Sequence, residues 1–248
     1  MLDQMTFTSG EEKLVLLSAG NTTGTVQEAA ASYPDFQLSD SVHDPAQSWN
    51  SLTVGAFTQF TQLTDPNLKD YSPVAGENML SPFTTTSATW EENRWPVKPE
   101  LVLEGGNLAV DAEGFATECG DYSMLSTWYK PEEAQFHPFN MTSAATAQLA
   151  WMAAQLRVEY PSFWEETIRG LLVHTAEWPE ALKQQFIAED SKTAFKRLLT
   201  ICGYGVPNLE RALYSASNSL TLISQADIQP FDKKPRGGGY RTVVVKSK

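Results

Sequence analysis

The chain has 248 residues and a formal net charge of −12 at pH 7, which disfavours nucleic acid or an anionic membrane surface as a partner. An apolar fraction of 42% with seven tryptophans predicts a substantial core and argues against a disordered chain. Cys119 and Cys202 are too few and too far apart to indicate a disulfide framework or a zinc site.

The N-terminal residues carry no basic segment followed by a long apolar one, and no apolar run approaches the length of a membrane span. We therefore expect a cytoplasmic protein without a membrane partner, provided that no targeting signal is missing from the sequence. The chain has no glycine-rich phosphate loop, no metal-ligand cluster and no Gly-x-Ser-x-Gly elbow. No cofactor and no metal are predicted.

Three continuous apolar runs, at residues 14–18, 52–57 and 100–103, predict strands that are buried on both faces of a parallel sheet. Helical patterns alternate with strand patterns up to residue 217. We therefore predict an α/β fold over residues 1–217, with a parallel sheet and helices on both faces. Residues 218–248 read as the start of a β-rich C-terminal extension, with strands at 219–224 and 241–245.

The central helix is predicted after Thr142 and Ser143, where alanines alternate with larger apolar residues at Leu149, Met152 and Leu156. Alanine occupies several faces of this helix, which indicates a position in the middle of the domain. Four further helices follow along the chain. Their predicted starts are a Ser162–Glu165 capping box, Pro179, and N-caps at Ser191 and Asn208.

Ser143 allows two interpretations. It can be an N-cap residue on a core helix, since serine accepts hydrogen bonds from the first backbone N–H groups. It can also be a nucleophile, because the positive end of a helix stabilises negative charge that develops beside it. The second interpretation needs support from other parts of the chain.

That support comes from four segments. Residues 14–21 read Leu-Val-Leu-Leu-Ser-Ala-Gly-Asn, residues 51–56 read Ser-Leu-Thr-Val-Gly-Ala, residues 98–106 read Lys-Pro-Glu-Leu-Val-Leu-Glu-Gly-Gly, and residues 142–147 read Thr-Ser-Ala-Ala-Thr-Ala. In this order they resemble four segments of the subtilisin-like serine proteases. These are the strand ending in the oxyanion-hole asparagine, the Ile-Thr-Val-Gly-Ala strand, the Lys-Pro-Asp segment, and the Gly-Thr-Ser-x-Ala-Ala-Pro nucleophile segment. The resemblance covers roughly residues 13–176.

The resemblance implies the C-terminal part of a subtilisin-like peptidase domain, an endopeptidase acting on peptide or protein substrates. Ser143 corresponds to the nucleophile that forms the acyl-enzyme, and Asn21 to the side-chain donor of the oxyanion hole. The backbone N–H of Ser143 would be the second donor. For Asn21 the alternative is a loop asparagine in a left-handed turn.

The family's catalytic aspartate and histidine precede this asparagine, within Asp-x-Gly and His-Gly-Thr-His motifs, and the twenty residues before Asn21 contain neither motif. Three histidines remain. We expect His43 in a surface turn and His174 packed on an apolar helix face. His137 is close to Ser143 in sequence, which leaves a convergent triad as an alternative but does not by itself place its ring on the serine oxygen.

Met141 stands where the family has glycine, so a backbone requiring a positive φ would be strained. Because it lacks the family's aspartate and histidine, the chain alone is predicted to be inactive and to need the missing N-terminal half or a partner chain. The alternative class is a non-catalytic, degenerate subtilase-like binding or interaction module.

Overall fold

The computed structural model describes residues 2–6, 13–91, 94–218, 223–225, 231–233 and 240–242. The strands are, in chain order, β1 Leu16–Ser18, β2 Leu52–Thr58, β3 Ser72–Pro73, β4 Met79–Leu80, β5 Leu101–Glu104, β6 Ala109–Val110, β7 Ala116–Thr117, β8 Met124–Thr127, β9 Phe136–Phe139, β10 Phe231–Lys233 and β11 Tyr240–Thr242. The helices are α1 Leu2–Thr6, α2 Val26–Ala31, α3 Asp35–Ser39, α4 Met141–Glu159, α5 Glu165–His174, α6 Glu180–Phe186, α7 Lys192–Cys202 and α8 Leu209–Asn218, with single 3₁₀ turns at Pro66–Leu68 and Gly120–Tyr122.

The central sheet is built around β2, which is buried along its whole length. β2 pairs in parallel with β1 on one side and with β5 on the other, and β4 adds an antiparallel pair at its end. The three strands predicted from the apolar runs are therefore parallel neighbours in one sheet, and that prediction is confirmed. Continuous burial explains why the sequences of β2 and β5 do not alternate between apolar and polar residues, whereas β1 is only partly buried.

Helices cover both faces of this sheet because successive strand residues point in opposite directions. Leu52, Val54 and Ala56 on β2 face α4, whose Leu149 and Leu156 are fully buried. The opposite face is covered by α6 and α7, where a second core is formed by the buried side chains of Phe57, Leu80, Val102, Leu182, Leu198, Ile201 and Cys202. The predicted α/β fold with helices on both faces is confirmed.

A buried ion pair joins the amino end of β5 to β2. The Lys98 ammonium lies 2.8 Å from the Glu100 carboxylate and donates to the Ser51 carbonyl at 2.9 Å. The other carboxylate oxygen of Glu100 accepts the Thr53 N–H at 2.7 Å, and Arg169 of α5 reaches the pair at 3.0 Å. The Lys-Pro-Glu segment therefore joins the strands at the amino end of β5, at the opposite end of the sheet from Asn21 and the start of α4.

The central helix starts two residues earlier than predicted. Asn140 is its N-cap and makes no side-chain capping bond, so Ser143 is the third residue inside the helix. The prediction of a helix start at Ser143 is wrong, because the Thr142 hydroxyl does not cap a helix N–H: it donates to Asn21.

The later helices follow the sequence patterns with one exception. Ser191 accepts the Ala194 N–H at 3.1 Å and Asn208 accepts the Arg211 N–H at 2.9 Å, as expected of N-caps. The Ser162–Glu165 capping box does not form. α5 begins at Glu165 itself, whose carboxylate binds Arg157 of α4 and cannot reach back to a cap.

An antiparallel hairpin of β8 and β9 leads directly into α4. Near the C-terminus, β10 and β11 form a second antiparallel pair. Most of the predicted strand at 219–224, and residues 243–245 of the other predicted strand, lie outside the described residues. Within the described parts of the chain, no helix is long and apolar enough to span a membrane.

Candidate functional site

Ser143 is exposed in the first turn of α4, where the backbone N–H groups have no helical partner. Two of these groups are bonded from outside the helix. The Met141 N–H donates to the Gly105 carbonyl at 2.6 Å, and the Thr142 N–H donates to the Asn21 side chain at 3.1 Å. The Ser143 N–H has no acceptor among the described residues. The helix therefore presents an exposed hydroxyl together with an unpaired backbone donor.

Asn21 lies at the end of the loop that follows β1, and its side chain is tied to the residue next to Ser143. Its Oδ1 accepts both the N–H and the hydroxyl of Thr142, at 3.1 and 2.7 Å. Because a backbone N–H is only a donor, this contact fixes which end of the amide is oxygen. The amide NH₂ makes no hydrogen bond within the described part of the chain. The structure thus brings Asn21 to Thr142, beside Ser143, with its donor end unused.

The left-handed turn considered for Asn21 is not present. Outside glycine, the described residues with positive φ are Asn78 and Met141 alone. The positive φ of the loop falls on Gly20, at 103°, where a β-carbon would meet the His43 ring.

A run of buried hydroxyl residues holds the Asn21 loop in place. The Thr85 hydroxyl donates to the carbonyls of Ala19 and Gly20 at 2.9 and 3.2 Å, and Thr84 forms a bridge with Asn21 itself. Thr84 and its two successors are fully buried. None of the sequence motifs described above indicates this role. The available signal was the unbroken Thr-Thr-Thr-Ser run, whose short hydroxyls can donate to backbone carbonyls.

Met141 adopts a φ of 70°, the left-handed region that favours glycine. Its N–H reaches the Gly105 carbonyl, and a β-carbon on Gly105 would lie 3.1 Å from the Met141 carbonyl and overlap Ala56. The Met141 side chain packs against a small core that contains Phe83 and Leu108. The expectation of a strained backbone at this position is therefore met: methionine occupies a conformation suited to the family's glycine.

Glu104 organises the turn that contacts Met141. Its buried carboxylate accepts the Gly106 N–H at 2.7 Å and the Gln59 N–H at 2.6 Å, and its carbonyl accepts the Gln148 side chain at 2.7 Å. Burial raises the pKa of this carboxyl, and the surrounding backbone N–H groups offset that rise only in part. The carboxylate and Gln148 together connect the ends of β2 and β5 to the start of α4.

None of the three histidine rings forms a hydrogen bond with Ser143 in the described part of the chain. The His43 ring packs against Gly20, with its Nε2 buried, unbonded, and 3.9 Å from the Asp40 carboxylate. His137 stacks on Trp128 with ring centroids 4.1 Å apart, and its Nδ1 lies 2.7 Å from the Pro138 carbonyl.

The prediction that His174 packs in the core is wrong, since its side chain is exposed. The apolar face of α5 runs through Ile168, Leu171 and Leu172 to Thr175, which is buried and donates to the Leu171 carbonyl at 3.0 Å. His174 precedes Thr175 by one residue, so its side chain lies outside the buried face. Among the described residues, no three or more His, Cys, Asp or Glu side chains form a group that could hold a metal ion.

The nucleophile-like serine, the asparagine beside it and the parallel sheet agree with a comparison at the family level. The sequence profile of the subtilase family, peptidase family S8, matches residues 1–205. The chain belongs to the subtilase family. The uncharacterized protein y4bN of Sinorhizobium fredii (strain NBRC 101917 / NGR234) is 25% identical over 231 residues, which is 88% of this chain and 52% of that protein. The chain thus spans about half the length of this curated relative.

Solved structures of similar fold include several proteases. The epidermin leader peptide processing serine protease EpiP from Staphylococcus aureus is 16% identical, with a TM-score of 0.46, covering 85% of this chain and 42% of EpiP. The prenylagaramide maturation protease PagA is 14% identical, with a TM-score of 0.44, covering 84% of this chain and 57% of PagA. MycP1 from Mycobacterium smegmatis is 16% identical, with a TM-score of 0.42, covering 90% of this chain and 46% of MycP1.

Proposed function

We propose that this chain is the nucleophile-bearing part of a subtilisin-like serine endopeptidase. One observation carries the proposal: Asn21 is locked to Thr142 through its oxygen, which leaves its NH₂ unpaired beside the exposed Ser143. A helix-capping asparagine needs only the oxygen. An oxyanion donor needs the nitrogen free and the oxygen anchored, and this is the arrangement described above.

In the proposed reaction the Ser143 oxygen attacks the carbonyl carbon of a peptide bond. The negative charge that develops on the carbonyl oxygen is stabilised by the Asn21 NH₂ and the Ser143 N–H, at the positive end of α4. Collapse of the intermediate expels the amine and leaves an acyl-enzyme, which water then hydrolyses. The Ser143 proton must pass to a base and on to the leaving amine.

The described residues do not supply that base in contact with Ser143, so we propose that it comes from polypeptide outside the 248 residues. Two open surfaces suit such a segment. β1 pairs with β2 alone among the described strands, and its residues are only partly buried. On α4, Trp151 is 58% exposed and Val158 is 78% exposed. A further strand and helix packed here would cover the sheet edge and the apolar helix face.

Paired variants of Asn21 test the oxyanion role in the active form of the protein. Asn21→Asp keeps an oxygen for the Thr142 N–H but removes the NH₂, whereas Asn21→Ala removes both. We expect both to lower turnover about 10²–10³-fold, the cost measured for such a donor in subtilisin, with KM little changed. Retained activity in Asn21→Asp together with its loss in Asn21→Ala would reduce Asn21 to a helix-anchoring residue.

Labelling by a fluorophosphonate tests the nucleophile and the missing base together. The 248-residue chain alone is expected to label at background level, and extension by the in-frame upstream sequence is expected to restore labelling that Ser143→Ala abolishes. Labelling of the isolated chain that is lost on His137→Ala would identify a different base and a complete enzyme.

The alternative function is a non-catalytic, degenerate subtilase-like binding module. It is favoured by the methionine at φ 70° directly before the nucleophile segment. Failure of the extended chain to label, with the fold and peptide binding intact, would establish this alternative and refute the peptidase.

A further inference from the structure

A cleft lies beside α7, on the face of the sheet opposite α4. Its volume is about 640 Å³, within the range of small-molecule sites in proteins. Leu38, Ala88 and Leu199 form part of its apolar lining, and the first two also border the core between the sheet and α7. This cleft shares no residue with the Asn21 and Ser143 site.

Two tryptophans form one wall of the cleft. The rings of Trp90 and Trp95 are 5.7 Å apart between centroids and inclined by 52°. Trp90 is held in place by packing against the cluster that contains Ala19, Val42 and Leu17. Trp95 remains 54% exposed. A fixed aromatic wall beside an exposed one provides a surface for the apolar body of a ligand.

Two cations of α7, Lys196 and Arg197, also line the cleft. Neither side chain forms an ion pair or hydrogen bond with any described residue. The carboxylate of Glu91, which lines the same cleft, is already engaged by Arg94 at 2.7 Å. In a chain with a net charge of −12, these are two positive charges without an ion-pair partner among the described residues, next to apolar and aromatic surface. Such a site attracts an anion with an apolar body.

We propose that this cleft binds a small amphipathic carboxylate, with its apolar part against Trp90 and Trp95 and its carboxylate on Lys196 and Arg197. The two cations require an anionic group on the ligand. The tryptophan pair and the aliphatic lining require an apolar body. The volume of the cleft suits a molecule of about the size of an arylalkanoic acid. The site is independent of the proposed peptidase activity.

The test uses 4-phenylbutyrate as the probe and uncharged 4-phenylbutyramide as its matched analogue. If the chain is insoluble by itself, it is produced together with the in-frame upstream sequence. Indole N–H signals of Trp90 and Trp95, assigned by Trp90→Phe and Trp95→Phe, are followed by NMR during titration, and affinities are measured by calorimetry. We expect both signals to shift with the carboxylate and the amide to bind at least tenfold more weakly.

Variants locate the charge contacts. The double variant Lys196→Gln, Arg197→Gln is expected to weaken phenylbutyrate binding at least tenfold. Lys192→Gln, an exposed lysine on the same helix outside the cleft, should change it less than twofold. Equal binding of acid and amide, unchanged affinity in the double variant, or shifts confined to other tryptophans would each overturn the proposal. So would a concentration-dependent shift of Trp95 without probe, since a second copy of the chain would then occupy the cleft.

Discussion

The positive φ of Met141 leads to a stability prediction of unusual sign. In an ordinary helix position, glycine is less stable than alanine by about 0.5–1 kcal/mol. At a φ of 70° the order should reverse, because a β-carbon in the left-handed region costs about 1–2 kcal/mol. Met141→Gly and Met141→Ala remove the same packing against Phe83 and Leu108, so this loss cancels between them. We expect Met141→Gly to be the more stable variant by about 1 kcal/mol.

For a chain of this length, about 1 kcal/mol corresponds to a difference in Tm of roughly 2–4 °C. Thermal unfolding followed by circular dichroism, and urea unfolding under the same conditions, measure it. Ala150→Gly is the matched control, since Ala150 is an exposed residue in the middle of the same helix and should lose about 0.5–1 kcal/mol. If Met141→Ala equals or exceeds Met141→Gly in stability while the control behaves as stated, the backbone at residue 141 is not strained.

Two further predictions concern buried groups. Burial raises the Glu104 pKa above its ordinary value of 4.5, and the causes of the shift include no charged side chain, so the folded state holds this proton more tightly than the unfolded state. The free energy of unfolding of the wild type, relative to that of Glu104→Gln, should therefore fall as pH rises from 4.5 through the raised pKa and then level off. Urea titrations between pH 4 and 8 measure this difference, and a rise over the range would contradict the prediction. At Gly203, with φ 57°, a β-carbon would overlap the Glu100 carbonyl, so Gly203→Ala should cost about 2–3 kcal/mol in urea unfolding. Gly170→Ala in α5 meets nothing within 4 Å and should gain about 0.5–1 kcal/mol, and equal effects at the two glycines would refute the steric argument.

The sheet could be predicted from sequence because its parallel strands are continuously apolar, and β2 and β5 are buried along their whole length. A run such as residues 52–57, apolar without alternation, has few other stable placements.

The starts of α4 and α5 could not be predicted, because tertiary contacts replaced the local ones. The Thr142 hydroxyl could have capped α4. It donates instead to the side-chain oxygen of Asn21, which is 121 positions away in the sequence. Glu165 could have completed a capping box, but Arg157 binds it. In both places a side chain with a local role was used for a long-range contact, and local sequence patterns carry no information about such a choice.

The histidines illustrate the same limit. His174 follows a run of apolar residues, and this pattern predicts a core position. The buried face of α5 continues from Leu171 to Thr175, one helical turn further on, so the His174 side chain points to solvent.

Thr84 and Thr85 lie in a segment without an apolar strand or helix pattern, yet both are fully buried. Their hydroxyls hold the backbone behind Asn21, so a part of the candidate site was hidden in a segment without a motif.

The geometry of α4 gives the direction from which a base must approach. Ser143 lies on the helix face that also carries Ala147, Ala150, Trp151 and Val158, which follow it by four, seven, eight and fifteen residues. The opposite face is packed on the sheet, and every one of these five side chains is exposed. On the proposed function, a group that takes the Ser143 proton would approach from this exposed side of α4. At about 1.5 Å per residue, Trp151 and Val158 lie roughly 12 and 22 Å along the helix from Ser143, so a segment that covers them must also extend to the first turn of α4 to supply the base.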